Sequence, residues 1–353
     1  DIPQSVSLMT AEQINDQAMT SIAEVMQYTP GVSIGQGEDH RDQITIRGQN
    51  TTADFFIDGL RDDIQYFRPL YNLERVEVLR GSNALLFGRG GGGGVVNRVS
   101  KMAQTEQSFV DISGGIDSFG ANTMTVDGNL SLSDSQALRL NSMIENIDNH
   151  RDFKDGERWA FNPTYTLQLA ERTTLVASWE RVDDQRVVDR GNPSLNGAPL
   201  EGYDETFFGS PTLNNTTFEG DIFRLRADHR LNNEWSMNAT VQYADYDKYY
   251  QNLYPVDFDA AAATVSLDGY DDTTSRKNTL LQLNLIGQLS IGALEHTLLA
   301  GAEFGDQETA NSRRDAYFFD SQDDQITFGF TDPLNIPGVT QTEPVRDTRS
   351  DVG

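Results

Sequence analysis

The chain has 353 residues, with 54 acidic against 27 basic side chains and a formal net charge of −27. That length admits two or three domains, and the charge opposes a nucleic-acid partner, because phosphate binding needs clustered Lys and Arg. Cysteine is absent, which removes disulfides, thiolate metal sites and thiol nucleophiles and suits a chain that crosses an oxidising compartment. No stretch approaches the roughly 20 apolar residues of a membrane-spanning helix, so a soluble protein and an outer-membrane barrel both stay open.

From the start, Ile14, Ala18, Ile22, Val25 and Met26 fall near helical spacing and predict one helix over residues 10–28, closed by Thr29-Pro30-Gly31. Alternating segments at 43–47, 54–58 and 75–79 end on Gly48, Gly59 and Gly81 and read as short strands. Glycines then fill residues 90–94. A glycine run packs nothing and loses backbone entropy, so it implies positive φ or a very close approach, a flexible linker being the bland alternative. A nucleotide site is rejected: no Gly-x-x-x-x-Gly-Lys-Ser/Thr is present, and the spacing of Gly88, Gly90 and Gly93 precedes no helix. Residues 1–104 thus read as a small α+β domain.

Residues 105–353 read as long alternating antiparallel strands at 108–116, 121–132, 137–147, 158–169, 173–186, 221–231, 234–246, 277–290 and 293–307. Tight connections at 133–135, 170–172, 232–233 and 291–292 alternate with long ones at 148–157, 187–220, 247–276 and from 308 onward. Brief turns at one end and extended loops at the other are the pattern of a transmembrane β-barrel. Phe223, Leu225 and Ala227 share one strand face while Arg224, Arg226, Asp228 and Arg230 share the other. A charged side chain facing lipid near the midplane costs about 2–4 kcal/mol, so the arginine face is expected to line the lumen. Trp159, Trp179, Phe223, Trp235 and Tyr246 are candidates for interfacial girdles. A soluble β-sandwich also alternates, but its strands run to about five or six residues.

Six segments in order over the first hundred residues resemble the plug domain of TonB-dependent siderophore receptors: Asp1-Ile2-Pro3-Gln4-Ser5-Val6, Tyr28-Thr29-Pro30-Gly31-Val32, Ile46-Arg47-Gly48, Ile57-Asp58-Gly59, Glu74-Arg75-Val76-Glu77-Val78-Leu79-Arg80-Gly81, and the run from Gly88-Arg89 to Asn97. The resemblance implies an α+β plug domain followed by antiparallel transmembrane β-barrel strands, in the outer membrane of a Gram-negative bacterium. It further implies import of a ferric siderophore, as transported ligand and with no cofactor, energised by TonB and its inner-membrane complex, with outer-membrane lipid around the barrel. Plugged transporters have about 22 strands; with about nine predicted here, the chain is expected to be a fragment, and its start carries neither a leader nor the short TonB-contacting segment.

Arg47 and Arg80 end strands beside glycines, and the resemblance implies that they form plug-to-barrel ion pairs; a buried guanidinium needs carboxylate partners in any case. Loops 35–42 and 60–72 are implied to face outside and to bind the ligand, with Gln36, Arg41, Tyr66, Phe67 and Arg68 as contacts, since arginine and aromatic groups suit anionic ligands with planar parts. Tyr243, Tyr246, Tyr249 and Tyr250 are candidates for an added aromatic wall. The second loop looks most like receptors for catecholate-type ligands.

No enzyme reading competes. Gly31-Val32-Ser33-Ile34-Gly35 has the hydrolase pattern with His40 nearby, but it follows a helix and a proline where a nucleophile elbow needs a preceding strand. His40, His150, His229 and His296 show no metal spacing, and the acidic groups at 257–272 and 320–324 match no complete calcium loop. Two other readings remain: a plugged surface barrel for adhesion or signalling, and a related receptor for haem, cobalamin or carbohydrate.

Overall fold

The computed structural model describes residues 5–81, 87, 91–292, 294–318, 323–336, 338–341 and 345–352. It opens with strand β1 (Ser5–Thr10) and two short helices, α1 (Ala11–Asp16) and α2 (Ile22–Gln27), in place of the single helix expected over 10–28. Each helix starts on a reciprocal capping box, Thr10 with Gln13 and Ser21 with Glu24, and the second box restarts the chain after Ala18 turns left-handed at φ 48°. Ala18 is therefore exposed, while Ile14, Ile22, Val25 and Met26 reach the core as their spacing implied.

Strands β2 (Val32–Ile34), β3 (Ile44–Ile46) and β4 (Gln49–Thr51) form a small antiparallel sheet. Strands β5 (Phe55–Ile57), β6 (Leu60–Arg61), β7 (Leu73–Arg80) and β8 (Gly94–Ser100) join β1 in a five-stranded sheet of order β1-β7-β8-β5-β6. The turns Arg47-Gly48 and Asp58-Gly59 have positive φ at both residues, the geometry that two-residue hairpins require. A Cβ on Gly93 would fall well inside contact distance of the Ile46 carbonyl oxygen, so close backbone approach explains that part of the glycine run. Gly88, Arg89 and Gly90 lie outside the described residues.

The remaining long strands form one antiparallel sheet, here called the wall. In chain order these are β9 (Phe109–Ile116), β10 (Asn122–Ser133), β11 (Gln136–Ile147), β12 (Gly156–Ala170) and β13 (Thr173–Val187). The hairpin β14 (Ser194–Leu195) and β15 (Ala198–Pro199) lies in the connection to β16 (Asn215–Arg230). Strands β17 (Trp235–Asp259), β18 (Thr264–Ile291), β19 (Leu294–Phe318), β20 (Ile326–Gly329), β21 (Val339–Gln341) and β22 (Arg346–Val352) complete it. The sheet has twelve strands: a path of ten runs from β9 to β21, with β20 and β22 paired alongside β18 and β19, and the two ends of the path do not pair with each other among the described residues.

Two predicted connections are largely strand: 247–276, and the stretch from 308 onward, which holds the end of β19 with β20, β21 and β22. Residues 247–276 continue β17 and β18 as one hairpin closed at 260–263. At roughly 3.3 Å per residue, the 28 residues of β18 are longer than a hydrocarbon core of about 30 Å requires of a spanning strand.

The two wall faces differ as expected. Leu138, Leu140 and Ile144 are exposed while Ala137, Arg139, Asn141 and Met143 between them are buried; likewise Phe223 and Leu225 are 45% and 51% exposed and Arg224 only 7%. No sealed interior between two stacked sheets holds these apolar residues, which is what a sandwich would need. Trp159, Phe161, Trp179 and Phe223 form an outward aromatic ladder with ring centroids 4.8–6.0 Å apart, and Phe223 stands opposite Tyr243. Tyr246 departs from the expected girdle: strand parity turns it inward, where it packs with Phe218.

Candidate ligand cavity between plug and wall

The plug presents two irregular loops to the upper, loop-bearing end of the wall. In residues 35–42, Glu38 and Asp39 both hold positive φ, 55° and 57°, a strained arrangement for non-glycine residues. The strain is held by partners from the wall: Tyr250 donates to the Glu38 carbonyl and Tyr270 to its carboxylate, each at 3.2 Å, while Lys154 pairs with Asp39.

His40 is wedged between these groups, with its ring 4.0 Å from that of Tyr250. Its Nδ1 meets Lys248, and its Nε2 lies 3.4 Å from both the Glu38 carboxylate and the Arg41 guanidinium. Burial, together with the Lys248 charge, pushes His40 down to about 3. Glu38 is lowered to about 2 by the hydrogen bond from His40 and the charges of Arg41 and Arg190, against the opposing effect of burial.

Beside this cluster lies a cavity of about 350 Å³. The plug contributes His40, Arg41, Asp63, Ile64 and Gln65; the wall contributes Lys248, Tyr250, Asp272, Arg276, Arg313 and Arg346, with Thr274, Thr309 and Asn311. Five cationic side chains against two carboxylates make it a positive concavity in a chain of net charge −27. Arg276 holds Asp63 at 2.7 Å, the Arg313 Nε donates to Asp272 at 2.9 Å, and Arg346 reaches the same carboxylate at 3.1 Å. The Arg313 guanidinium also sits 3.9 Å from the Tyr270 ring centroid.

Of the five expected contacts, Arg41 lines the cavity and donates to Gln65 at 2.8 Å. Gln36 is exposed and donates to the Asp189 carbonyl at 2.8 Å in an external loop. Phe67 is half-buried under the Arg186 guanidinium at 4.7 Å. Tyr66 and Arg68 differ from expectation: both are buried, at 2% and 1% exposure. Tyr66 stacks on Phe218 of the wall at 4.3 Å and donates to Asp62, and Arg68 spends its donors inside the plug. Burial of their polar ends against carboxylates leaves neither a free face for a ligand.

Arg47 and Arg80 also depart from expectation with respect to the strands of this chain. Arg47 is exposed, and Arg80 donates to Ser7 at 2.8 Å and to the Pro30 carbonyl, both within the plug. Plug-to-wall contacts fall elsewhere: Arg224 pairs with Asp58, Asn72 donates to Glu180 at 3.0 Å, and Lys101 lies 2.9 Å from Asp127. Beneath them Asp62 joins Arg68 and Arg98 at 2.9 and 2.6 Å. Burial alone would raise the Asp62 carboxyl, but these two guanidinium groups hold it below its ordinary value.

Lys248, Arg276 and Arg313 escape sequence reading because they sit in or opposite the segment taken for a loop. Strand parity carried through 247–276 would have placed Lys248, Tyr250, Asp272 and Arg276 on the inward face.

Residues 1–95 match the TonB-dependent Receptor Plug Domain family. This part of the chain is similar to the plug of TonB-dependent receptors. As a whole, the chain is 27% identical over 342 residues to the catecholate siderophore receptor Fiu of Escherichia coli, covering 88% of this chain and 44% of that protein. It is also 27% identical over 332 residues to the probable TonB-dependent siderophore receptor PiuA of Acinetobacter baumannii, covering 88% and 43%. The chain thus spans under half the length of these curated relatives. The crystal structure of the siderophore receptor PiuA superposes with a TM-score of 0.83 at 24% identity over 99% of this chain and 53% of that one. The open form of the ferric-catecholate import receptor Fiu gives 0.80 at 20% identity, over 100% and 66%. These superpositions match the plug and the strand wall together, and the relatives are receptors.

Proposed function

We propose that the protein to which this chain belongs is an outer-membrane receptor that imports an anionic ferric siderophore, of catecholate type, into the periplasm, energised by the inner-membrane TonB complex. It performs no bond chemistry. The observation that carries this reading is the cationic cavity between plug and wall, where Arg41, Lys248, Arg276, Arg313 and Arg346 converge. A ferric tris-catecholate is a compact polyanion with planar rings. Arginine forks suit its oxygens. The name of the relative Fiu supports a catecholate ligand, and that of PiuA a siderophore.

The exposed apolar outer face and its aromatic ladder support a membrane seat, and the plug inside the wall supports gated passage. The test is iron-limited growth of a strain lacking the gene, fed a ferric catecholate, with and without the intact gene restored. Restored growth that depends on TonB supports the reading. Growth restored only by haem or cobalamin, or no change on any iron source, overturns it.

A further inference from the structure

Arg68 lies one shell beneath the cavity, and its surroundings use every donor it has. Nε reaches the Asp62 carboxylate at 2.9 Å; Nη1 reaches the Asp42 carboxylate and the Tyr66 carbonyl, both at 3.3 Å; Nη2 reaches the carbonyls of Asp62 and Ile64, both at 2.7 Å. Those five contacts match the five N–H groups of a guanidinium. Its flat faces are covered as well, by the rings of Phe55 at 4.0 Å and Tyr66 at 4.7 Å.

The carbonyls it gathers belong to residues 62, 64 and 66, in a segment with neither helix nor strand. Alternation then sends the intervening groups the other way. Asp63 and Gln65 line the cavity, and the Gln65 carbonyl accepts from Lys248 at 2.6 Å. Gln65 in turn receives Arg41 at 2.8 Å. An irregular buried segment without ladder partners needs side chains to satisfy its carbonyls, and here one side chain satisfies three.

We infer that Arg68 is the positioning residue of the ligand cavity: it holds residues 62–66 in the path that aims Asp63, Gln65 and, through Gln65, Arg41 at the ligand. The inference rests on this cavity being the ligand site. Lysine keeps the charge beside Asp42 and Asp62 but has a single nitrogen that cannot span three carbonyls.

The test uses Arg68→Lys in the full-length receptor. Amide hydrogen exchange at residues 63–67 is expected to speed up, with β3, β7 and β8 unchanged. Binding of ferric tris-(2,3-dihydroxybenzoate) is expected to weaken about tenfold. The losses from Arg68→Lys and Gln65→Ala should be non-additive, because both act through one loop, whereas those from Arg68→Lys and Arg313→Gln should add. Unchanged exchange at 63–67, equal acceleration across the whole plug sheet, or full additivity with Gln65→Ala overturns the inference. If the unaltered receptor does not bind the probe, the ligand reading fails and the exchange result alone decides the role of Arg68.

Discussion

The Arg276 guanidinium donates to the Asp63 carboxylate, Nη1 to Oδ1 at 2.7 Å, and ties the wall to the loop that floors the cavity. Both residues line that cavity, so an anionic ligand and Asp63 compete for one cation. Removing the competitor and removing the cation should act in opposite directions. Asp63→Asn is expected to tighten ferric catecholate binding several-fold, and Arg276→Gln to weaken it by about tenfold, or about 1.4 kcal/mol. Fluorescence titration of the purified receptor measures both; changes of the same sign would contradict the competition.

Asp62 is the shared carboxylate of two fully buried guanidinium groups, Arg68 and Arg98. Breaking a buried pair by removing one partner leaves uncompensated charge and costs about 3–5 kcal/mol. Asp62→Asn is therefore expected to lower the urea midpoint of plug unfolding sharply in the intact receptor while the wall stays assembled. An unchanged midpoint would show that the cluster contributes little.

The parity of the wall is legible in the sequence wherever one face is apolar and the other polar. Leu138, Leu140 and Ile144, and Phe223 and Leu225, alternate with polar neighbours because only one face must be apolar. Farther along β17 and β18 that constraint lapses, and the stretch Asp247 to Arg276 carries polar groups on both faces, so it reads as a loop although it continues both strands. The plug loops failed for a related reason. No periodicity tells which side chain of residues 60–72 points out, and Tyr66 and Arg68, chosen for ligand chemistry, are buried. The glycines beside Arg47 and Arg80 were real signals, but the one after Arg47 serves a turn of positive φ.

The same parity gives a membrane test. Leu225 is 51% exposed on the outward face near mid-strand. Leu225→Arg is expected to destabilise the assembled barrel by about 2–4 kcal/mol, while Leu225→Ala changes it little. Heat-modifiable migration of the full-length protein from outer membranes reads both; tolerance of the arginine would remove lipid from that face.

His40 is held neutral by burial and by Lys248, with a value of about 3, and Glu38 is held ionised down to about 2. For both groups the unfolded chain binds more protons over the acidic range, so their contribution is complete above about pH 6.5 and declines as pH falls towards those values. Plug stability in urea should fall from pH 7 to pH 4, and His40→Asn should flatten that slope. A slope unchanged by His40→Asn would place the pH dependence elsewhere.

The most direct measurement compares equilibrium binding of a polyanionic ferric catecholate with that of a neutral ferric hydroxamate, in the full-length receptor and in its Arg276→Gln, Arg313→Gln double variant. A preference for the anion of at least about tenfold (about 1.4 kcal/mol), lost in the double variant, is the expected result. Equal affinity for both complexes, or a preference untouched by removing the two arginines, would contradict a cavity that selects its ligand by charge.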